Sequence, residues 1–285
     1  MADPKSQIQN PKSQHSNRKS PTLTNPRNPD IKQARRLQQR KVRDETGLFL
    51  VEGIRHVGEA VAAGAHIAYF CYAPDLLKSE FAYDLLEKQR RAGARVYALA
   101  ADVFCSIADK ENPQGILAVV KRHQLQLADL QPATHPWLVA LVSPQDPGNI
   151  GAVMRTIDAV GASGLILLDG GADPGHPNAV RASLGALFWM PVVAATFAEF
   201  VPWAKAAGYR LVGTSEKAAV DYRAADYQRP LILLMGSERE GLTPEQEAAC
   251  DVMVRLPMVG RVTSLNLAVA TGVMLYAMWE GEGRK

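Results

Sequence analysis

Residues 137–160 read WLVALVSPQDPGNIGAVMRTIDAV. The run Trp137–Val142 is apolar without interruption. A strand with one wet face would alternate, so an unbroken apolar run bounded by turn residues predicts a strand buried on both faces, as in a parallel sheet. Pro144, Pro147 and Gly148 then break the chain. Ile150, Val153, Met154 and Ile157 follow at helical spacing and predict a helix over Asn149–Val160. Asn149 stands at the start of that helix, where its side chain could act as a cap. Arg155 stands about 1.7 turns further on.

The same alternation continues downstream. Strands are expected at Leu165–Leu168, Val192–Ala194, Arg210–Gly213, Leu231–Met235 and Met253–Arg255. Helices are expected between them at Ala179–Leu187, Phe197–Ala207 and Glu245–Ala249, with a last one at Ser264–Trp279. Upstream, Gly47–Lys121 reads as a smaller α/β unit. Its strands are Leu48–Val51, Ile67–Cys71, Arg95–Ala98 and Ile116–Val120. Its helices are Ile54–Ala63, Phe81–Arg91 and Ala101–Ala108. The fold class expected is α/β. The chain divides into a tail at 1–30, a small domain at 31–121, a polar linker at 122–136 and a parallel-sheet domain at 137–285.

Charge is distributed unevenly. The chain has 32 Lys and Arg against 29 Asp and Glu, a net of only +3. Residues 1–43 hold eleven Lys and Arg and two acids, Asp3 and Asp30, for a net of +9, so the remainder carries −6. A basic arm on a mildly acidic body points to a polyanionic partner. Residues 1–30 are polar with five prolines and are expected to be disordered. A mitochondrial transit peptide is the lesser reading, because the segment lacks a Leu/Arg amphipathic face. Asp30 is expected to cap a helix bearing Lys32, Arg35, Arg36, Arg40, Lys41 and Arg43, read either as an RNA contact or as a solvated face.

Several classes are excluded. The three cysteines, Cys71, Cys105 and Cys250, are far apart and form no C-x-x-C, which argues against a disulfide framework and for a reducing, cytoplasmic setting. The six histidines show no metal-ligand spacing, so no metal is expected. No apolar run reaches the ~18–20 residues of a membrane span, and no G-x-S-x-G elbow is present. Asp169–Gly175 follows a strand but fails the dinucleotide-loop pattern, and Pro174 and Pro177 interrupt the helix start it would need.

Three segments combine Gly, Pro and polar residues where a strand ends. They are Ser143–Arg155, Met235–Leu242 and Leu256–Asn266. Taken singly, each has a bland reading: an N-cap with a surface arginine, a polar loop, and a serine-capped helix. Together, in this order, they resemble the three motifs of the SpoU/TrmH branch of the SPOUT RNA methyltransferases. Asp146-Pro147-Gly148-Asn149-Ile150-Gly151-Ala152-Val153-Met154-Arg155-Thr156 matches the first motif. Gly236-Ser237-Glu238-Arg239-Glu240-Gly241 matches the second, and Pro257-Met258-Val259-Gly260-Arg261-Val262-Thr263-Ser264-Leu265-Asn266 the third. Val180–Ala186 matches an intermediate segment. The first unit more weakly resembles an L30e-like substrate-binding domain, through Leu50–Gly53 and Asn112–Ile116.

The resemblance implies a deep trefoil knot, a homodimer, S-adenosyl-L-methionine as cofactor, and methyl transfer to a ribose 2′-OH of RNA. It implies a polar catalytic set of Asn149, Arg155, Glu238, Ser264 and Asn266. It also places the cofactor against Gly236, Leu256 and Leu265, with Thr214 a further neighbour. Ribosomal RNA is the expected substrate, on the strength of the L30e-like domain. A tRNA substrate, or a non-catalytic RNA-binding or assembly protein of this fold, is the alternative. An arginine has too high a pKa to be a ready base, so Arg155 is read as stabilising a developing alkoxide rather than accepting its proton.

Overall fold

A computed structural model of the chain describes residues 28–282. The tail expected at 1–30 lies almost wholly outside the described residues. The chain builds two sheets. The first is four-stranded, in the order β1-β4-β2-β3, from β1 (Leu48–Glu52), β2 (Ile67–Tyr72), β3 (Val96–Ala98) and β4 (Ile116–Lys121). β4 runs antiparallel to β1 and β2, and β3 is parallel to β2. One face is covered by α1 (Pro29–Arg36), α2 (Arg40–Thr46) and α5 (Ala101–Cys105), which bring Ile31, Leu37, Val42 and Phe104 onto Tyr69 and Leu117. The other face is covered by α3 (Ile54–Ala62) and α4 (Glu80–Arg91).

The second sheet has seven strands, all parallel, in the order β7-β6-β5-β10-β8-β11-β9. They are β5 (Trp137–Val142), β6 (Gly164–Leu168), β7 (Val192–Ala195), β8 (Arg210–Thr214), β9 (Val220–Asp221), β10 (Leu231–Met235) and β11 (Val252–Arg255). Every residue of β5, β6 and β10 is buried, as the unbroken apolar runs require. α6 (Pro147–Val160) and α10 (Leu267–Glu282) cover one face. α8 (Phe197–Ala206) covers the other. α7 (Pro177–Ala182) packs against α6, and α9 (Pro244–Ala249) precedes β11. Gly151 makes the α6–α7 contact possible, because a Cβ there would lie 2.4 Å from the Ala179 carbonyl oxygen.

Some expectations fail for local reasons. The basic helix is two helices, broken at Leu37–Gln39. Its cap is Asn28, whose side chain accepts from the Asp30 and Ile31 N–H groups. Asp30 instead pairs with Arg95 at 2.9 Å. The run's charges are mostly engaged: Arg40 with Asp44, Lys41 with Glu45, Arg43 with Asp173, and Arg35 with the Ser106 hydroxyl. Lys32 and Arg36 alone of the six have no side-chain partner among the described residues. Because Ile31, Ala34, Leu37 and Val42 are core residues, this segment is part of the first domain rather than a detachable arm.

Residues 122–136, expected to be a linker, are packed down. Leu125 bridges Val193 on the edge strand β7, a short 3-10 turn spans Leu127–Asp129, and Leu130 is buried beside Phe200 and Leu138. The helix expected at Ala179–Leu187 breaks after Ala182, where Leu184 and Gly185 take positive φ, and resumes as a 3-10 turn at Ala186–Phe188. The helix expected at Ala101–Ala108 stops at Cys105, and the two-residue strand β9 has too little sequence to signal itself. Among the described residues no helix is long and apolar enough to cross a membrane.

The two domains are joined by a buried ion pair. Arg43 of α2 and Asp173, in the loop after β6, meet at 2.6 Å with their side chains 2% and 3% exposed. Asp173 also accepts from Arg122, at the end of β4, and from the Gly175 N–H. Arg43 Nη1 donates to the Leu37 and Gln38 carbonyls. The stretch 169–175, which superficially suggests a nucleotide loop, is thus the socket that holds the small domain. Phe188 stacks near-parallel with Phe49 across the same junction, 6.5 Å between centroids.

Candidate active site at the ends of the parallel strands

In the parallel sheet the chain winds outward from β5 through β6 to β7, then returns to the other side of β5. The switch point of such a sheet leaves a crevice at the carboxyl ends of the strands, here between β5 and β10. Loops from β5 and β10 meet there, joined by the segment that follows β11. They converge on Asn149, which is only 7% exposed. Its Nδ2 donates to Glu238 Oε1 at 3.2 Å, and its Oδ1 accepts from Asn266 Nδ2 at 2.9 Å. A carboxylate can only accept, so Glu238 fixes which way the Asn149 amide faces, and that in turn fixes Asn266. Glu238 also accepts from the Gln145 N–H at 3.0 Å and the Asp146 N–H at 3.5 Å. One residue from each of the three motifs is therefore tied into one network.

Local structure explains the residue types. The cap of α6 is Asp146, whose side chain accepts from the Gly148 N–H at 2.7 Å, with Pro147 at the first helical position. Asn149 is thereby released from capping. Gly236 lies where a Cβ would sit 2.1 Å from the Gly241 backbone carbon. The loop doubles back there through reciprocal Ser237–Gly241 backbone bonds of 3.1 and 3.0 Å, which turns Glu238 toward α6. Asn266 does two jobs. Its Oδ1 accepts from the Ala268 and Val269 N–H groups, capping α10, while its Nδ2 reaches Asn149.

Ser264, expected at the helix start, instead lies in an exposed loop three residues before α10. It makes no hydrogen bond among the described residues. Arg155 is exposed on α6 and likewise has no partner among them. Six residues at roughly 100° each place it about 240° around the helix from Asn149, so the structure does not bring Arg155 to the Asn149 network. The backbone N–H groups of Gln145 and Asp146 went unpredicted, since backbone donors leave no residue-type signal.

The asparagine pair can be dissected. Asn266→Ser keeps a capping oxygen but removes the N–H that reaches Asn149. Its unfolding midpoint should correspond to a loss under about 1 kcal/mol, while activity falls at least tenfold. Equal loss of stability and activity would mean that Asn266 is only a cap.

Beside this network lies a candidate cofactor cradle. β10, β8 and β11 are adjacent, so Gly236, Thr214 and Leu256 stand side by side at their carboxyl ends. Thr214 Oγ1 lies 3.7 Å from Met235 Sδ. Leu256 is half-buried and Leu265 is exposed. The backbone N–H groups of residues 258–265 find no acceptor among the described residues. Apolar surface beside unspent backbone donors suits a flat heterocycle with a polar edge. No group of three or more His, Cys, Asp or Glu side chains among the described residues is placed to hold a metal ion.

A small α/β domain tied by a buried ion pair to a parallel-sheet domain, with a polar network at the switch point, defines a two-domain α/β protein whose second domain carries the candidate site. The SpoU rRNA Methylase family matches residues 136–276, and the MRM3-like substrate binding domain matches residues 28–118. The 23S rRNA (uridine(2479)-2′-O)-methyltransferase of Streptomyces viridochromogenes is 36% identical over 84% of this chain and 85% of its own length. The 23S rRNA (guanosine(2553)-2′-O)-methyltransferase RlmP of Bacillus subtilis is 29% identical over 88% and 96%. A crystal structure of an AdoMet-bound rRNA methyltransferase from Sinorhizobium meliloti superposes with a TM-score of 0.82 at 36% identity, covering 91% of this chain and 97% of that one. The chain belongs to the SpoU rRNA methylase family.

Proposed function

We propose that the protein transfers a methyl group from S-adenosyl-L-methionine to a ribose 2′-OH of 23S-type ribosomal RNA, in the cytoplasm. The observation that carries this reading is the convergence of Asn149, Glu238 and Asn266, one residue from each motif, beside the open cradle at Gly236, Thr214, Leu256 and Leu265. The relatives' names, and the match of the first domain to a substrate-binding family, support ribosomal RNA. When bound, S-adenosyl-L-methionine supplies an electrophilic sulfonium methyl. The trefoil knot of the resemblance belongs to the same reading, supported by the likeness to the Sinorhizobium meliloti structure.

In this reading the Asn149 network holds the loops after β5 and β10 and the start of α10 in one arrangement, so that hydroxyl and methyl group meet in line. Arg155 stabilises the 2′-oxygen as it gains negative charge, and it binds a neighbouring phosphate. The hydroxyl proton leaves to solvent, since a guanidinium does not take it at neutral pH. Ser264 lies in the exposed loop that leads into α10. Incubating the protein with methyl-labelled cofactor and unmodified 23S rRNA tests the reading. Label should enter the RNA, and glutamine at Glu238 should abolish it.

A homodimer completes the proposal. α10 is apolar nearly all round, and Val269, Val273, Tyr276 and Trp279 are exposed in this single chain. A helix apolar on every side needs a partner on each. α6, which bears Arg155, packs beside α10, with Thr156 against Gly272. A second copy on this face would cover Arg155 and bring it groups its own chain does not. Val273→Glu places a charge at the centre of the face. Light scattering should then report the mass of one chain instead of two. A wild-type protein that is itself monomeric at micromolar concentration contradicts the dimer.

A further inference from the structure

Between the two domains lies a cleft of about 590 Å³, apart from the cofactor cradle. Its floor is apolar and partly aromatic, from Phe49, Leu187, Phe188 and Met190. Its rim is cationic. Arg40, Lys121 and Arg122 face it, with His123 beside them, against Asp44 and the buried Arg43–Asp173 pair. Both acids are already committed, Asp173 to Arg43 and Arg122 and Asp44 to Arg40. Lys121 and His123 are exposed and have no side-chain partner among the described residues. The surplus is positive, and the unspent charge sits at the mouth.

The cleft is coupled to the active site by a single loop. Gly170, Ala172 and Asp173 line it, and the Ala172 N–H donates to the Pro144 carbonyl at 2.6 Å. The next residue, Gln145, uses its own N–H to hold Glu238. An occupant of the cleft therefore rests against the loop that carries the Asn149 network. The lining also includes Ala194, exposed on the edge strand β7.

Residues 1–27 are an unsuitable occupant. They carry five Lys and Arg against one acid, and Ile8 and Leu23 are their only large aliphatic residues apart from Met1. A cationic mouth repels such a segment, and an apolar floor gains little from it. The fitting chemistry is a flat apolar body joined to an anion, which is a nucleotide. We propose that the cleft takes one unstacked nucleotide of the RNA substrate, its base on the Phe188 and Met190 floor and its phosphate against Lys121 and His123. Single-stranded RNA is read in this way, bases on apolar or aromatic surfaces and phosphates on basic side chains. The inference rests on the RNA-methyltransferase reading and adds a second contact point beyond the reacting ribose.

Two variants test it without touching the cofactor cradle. Ala194→Trp fills the cleft from an exposed position, and Lys121→Glu with His123→Glu reverses the charge at the mouth. The probe is a 23S rRNA transcript containing 4-thiouridine. Wild-type protein should photo-cross-link within residues 187–194. Both variants should melt at the wild-type temperature and bind S-adenosyl-L-methionine normally, yet raise KM for RNA at least tenfold with kcat within twofold. The charge reversal should also flatten the salt dependence of RNA affinity by about 0.7 for a lost single-strand phosphate contact. Cross-links elsewhere, with KM unchanged in both variants, overturn the proposal. So does a free 5′-mononucleotide that binds the cleft while RNA does not cross-link there. Should the wild type bind RNA but transfer no methyl, the enzymatic reading falls, while cross-links and affinities still decide the occupant of the cleft.

Discussion

Arg155→Ala is expected to lose about 10²–10³-fold in turnover, the usual cost of removing one group that stabilises a developing oxyanion. Cofactor affinity should stay within a few-fold, because the proposed cradle at Gly236, Thr214, Leu256 and Leu265 lies on other elements. Folding stability of the single chain should barely change, since the side chain is exposed there and makes no hydrogen bond or ion pair among the described residues. Arg155→Lys should recover only part of the rate, as an ammonium keeps the charge but not the planar fork. The pH–rate profile should not shift to a new lower limb, because in the proposed mechanism Arg155 acts as a cation and not as a base. A variant keeping more than a tenth of wild-type turnover, a loss below ~1.4 kcal/mol of barrier, would remove Arg155 from the chemistry.

Asp173→Ala is expected to cost about 3–5 kcal/mol of stability, because it strands a buried guanidinium. Arg43 is 2% exposed and would keep only the Leu37 and Gln38 carbonyls. Urea unfolding would show this as a lowered midpoint. Replacing both partners together, Arg43→Met with Asp173→Leu, should be far milder, since no charge is left buried. The tie has a pH signature. Burial alone would raise the Asp173 carboxyl, but the Arg122 charge, the Arg43 hydrogen bond and the Gly175 N–H together hold it below its ordinary 3.8. A depressed acid stabilises the fold fully above its unfolded value. The contribution is lost as pH falls through the lower folded value. Acid unfolding of the wild type should therefore begin below about pH 4, and the apolar pair should lack that component. An Asp173→Ala protein as stable as the wild type would mean that Arg43 finds water.

The parallel sheet was legible because its central strands are buried on both faces, and β5, β6 and β10 write that as unbroken apolar runs. Asn149, Glu238 and Asn266 were legible only as a set, through motif order, and their mutual bonds were not. A side-chain network spanning 117 residues of sequence, from Asn149 to Asn266, leaves no periodicity. The basic run at 32–43 misled in part, because charge in sequence does not say which cations are spent. Arg43 is a buried strut, and Arg40 and Lys41 pair with acids one turn on. The polar look of 122–136 concealed Leu125, Leu127 and Leu130, three apolar residues that fasten the segment to the sheet. Arg155 shows the reverse case. The sequence singled it out, and a single chain leaves it outside the network.

The most direct measurement is the chemical identity of the product. The protein is incubated with unmodified 23S rRNA and S-adenosyl-L-methionine carrying a deuterated methyl group. The RNA is then digested to nucleosides and read by mass spectrometry. Methyl transfer to a ribose 2′-OH predicts one 2′-O-methylated nucleoside bearing the heavy methyl on its sugar fragment, near one per RNA molecule, and formed about 10²–10³-fold more slowly by Arg155→Ala. Heavy methyl on the base fragment, or none in RNA that the protein binds, would contradict the account.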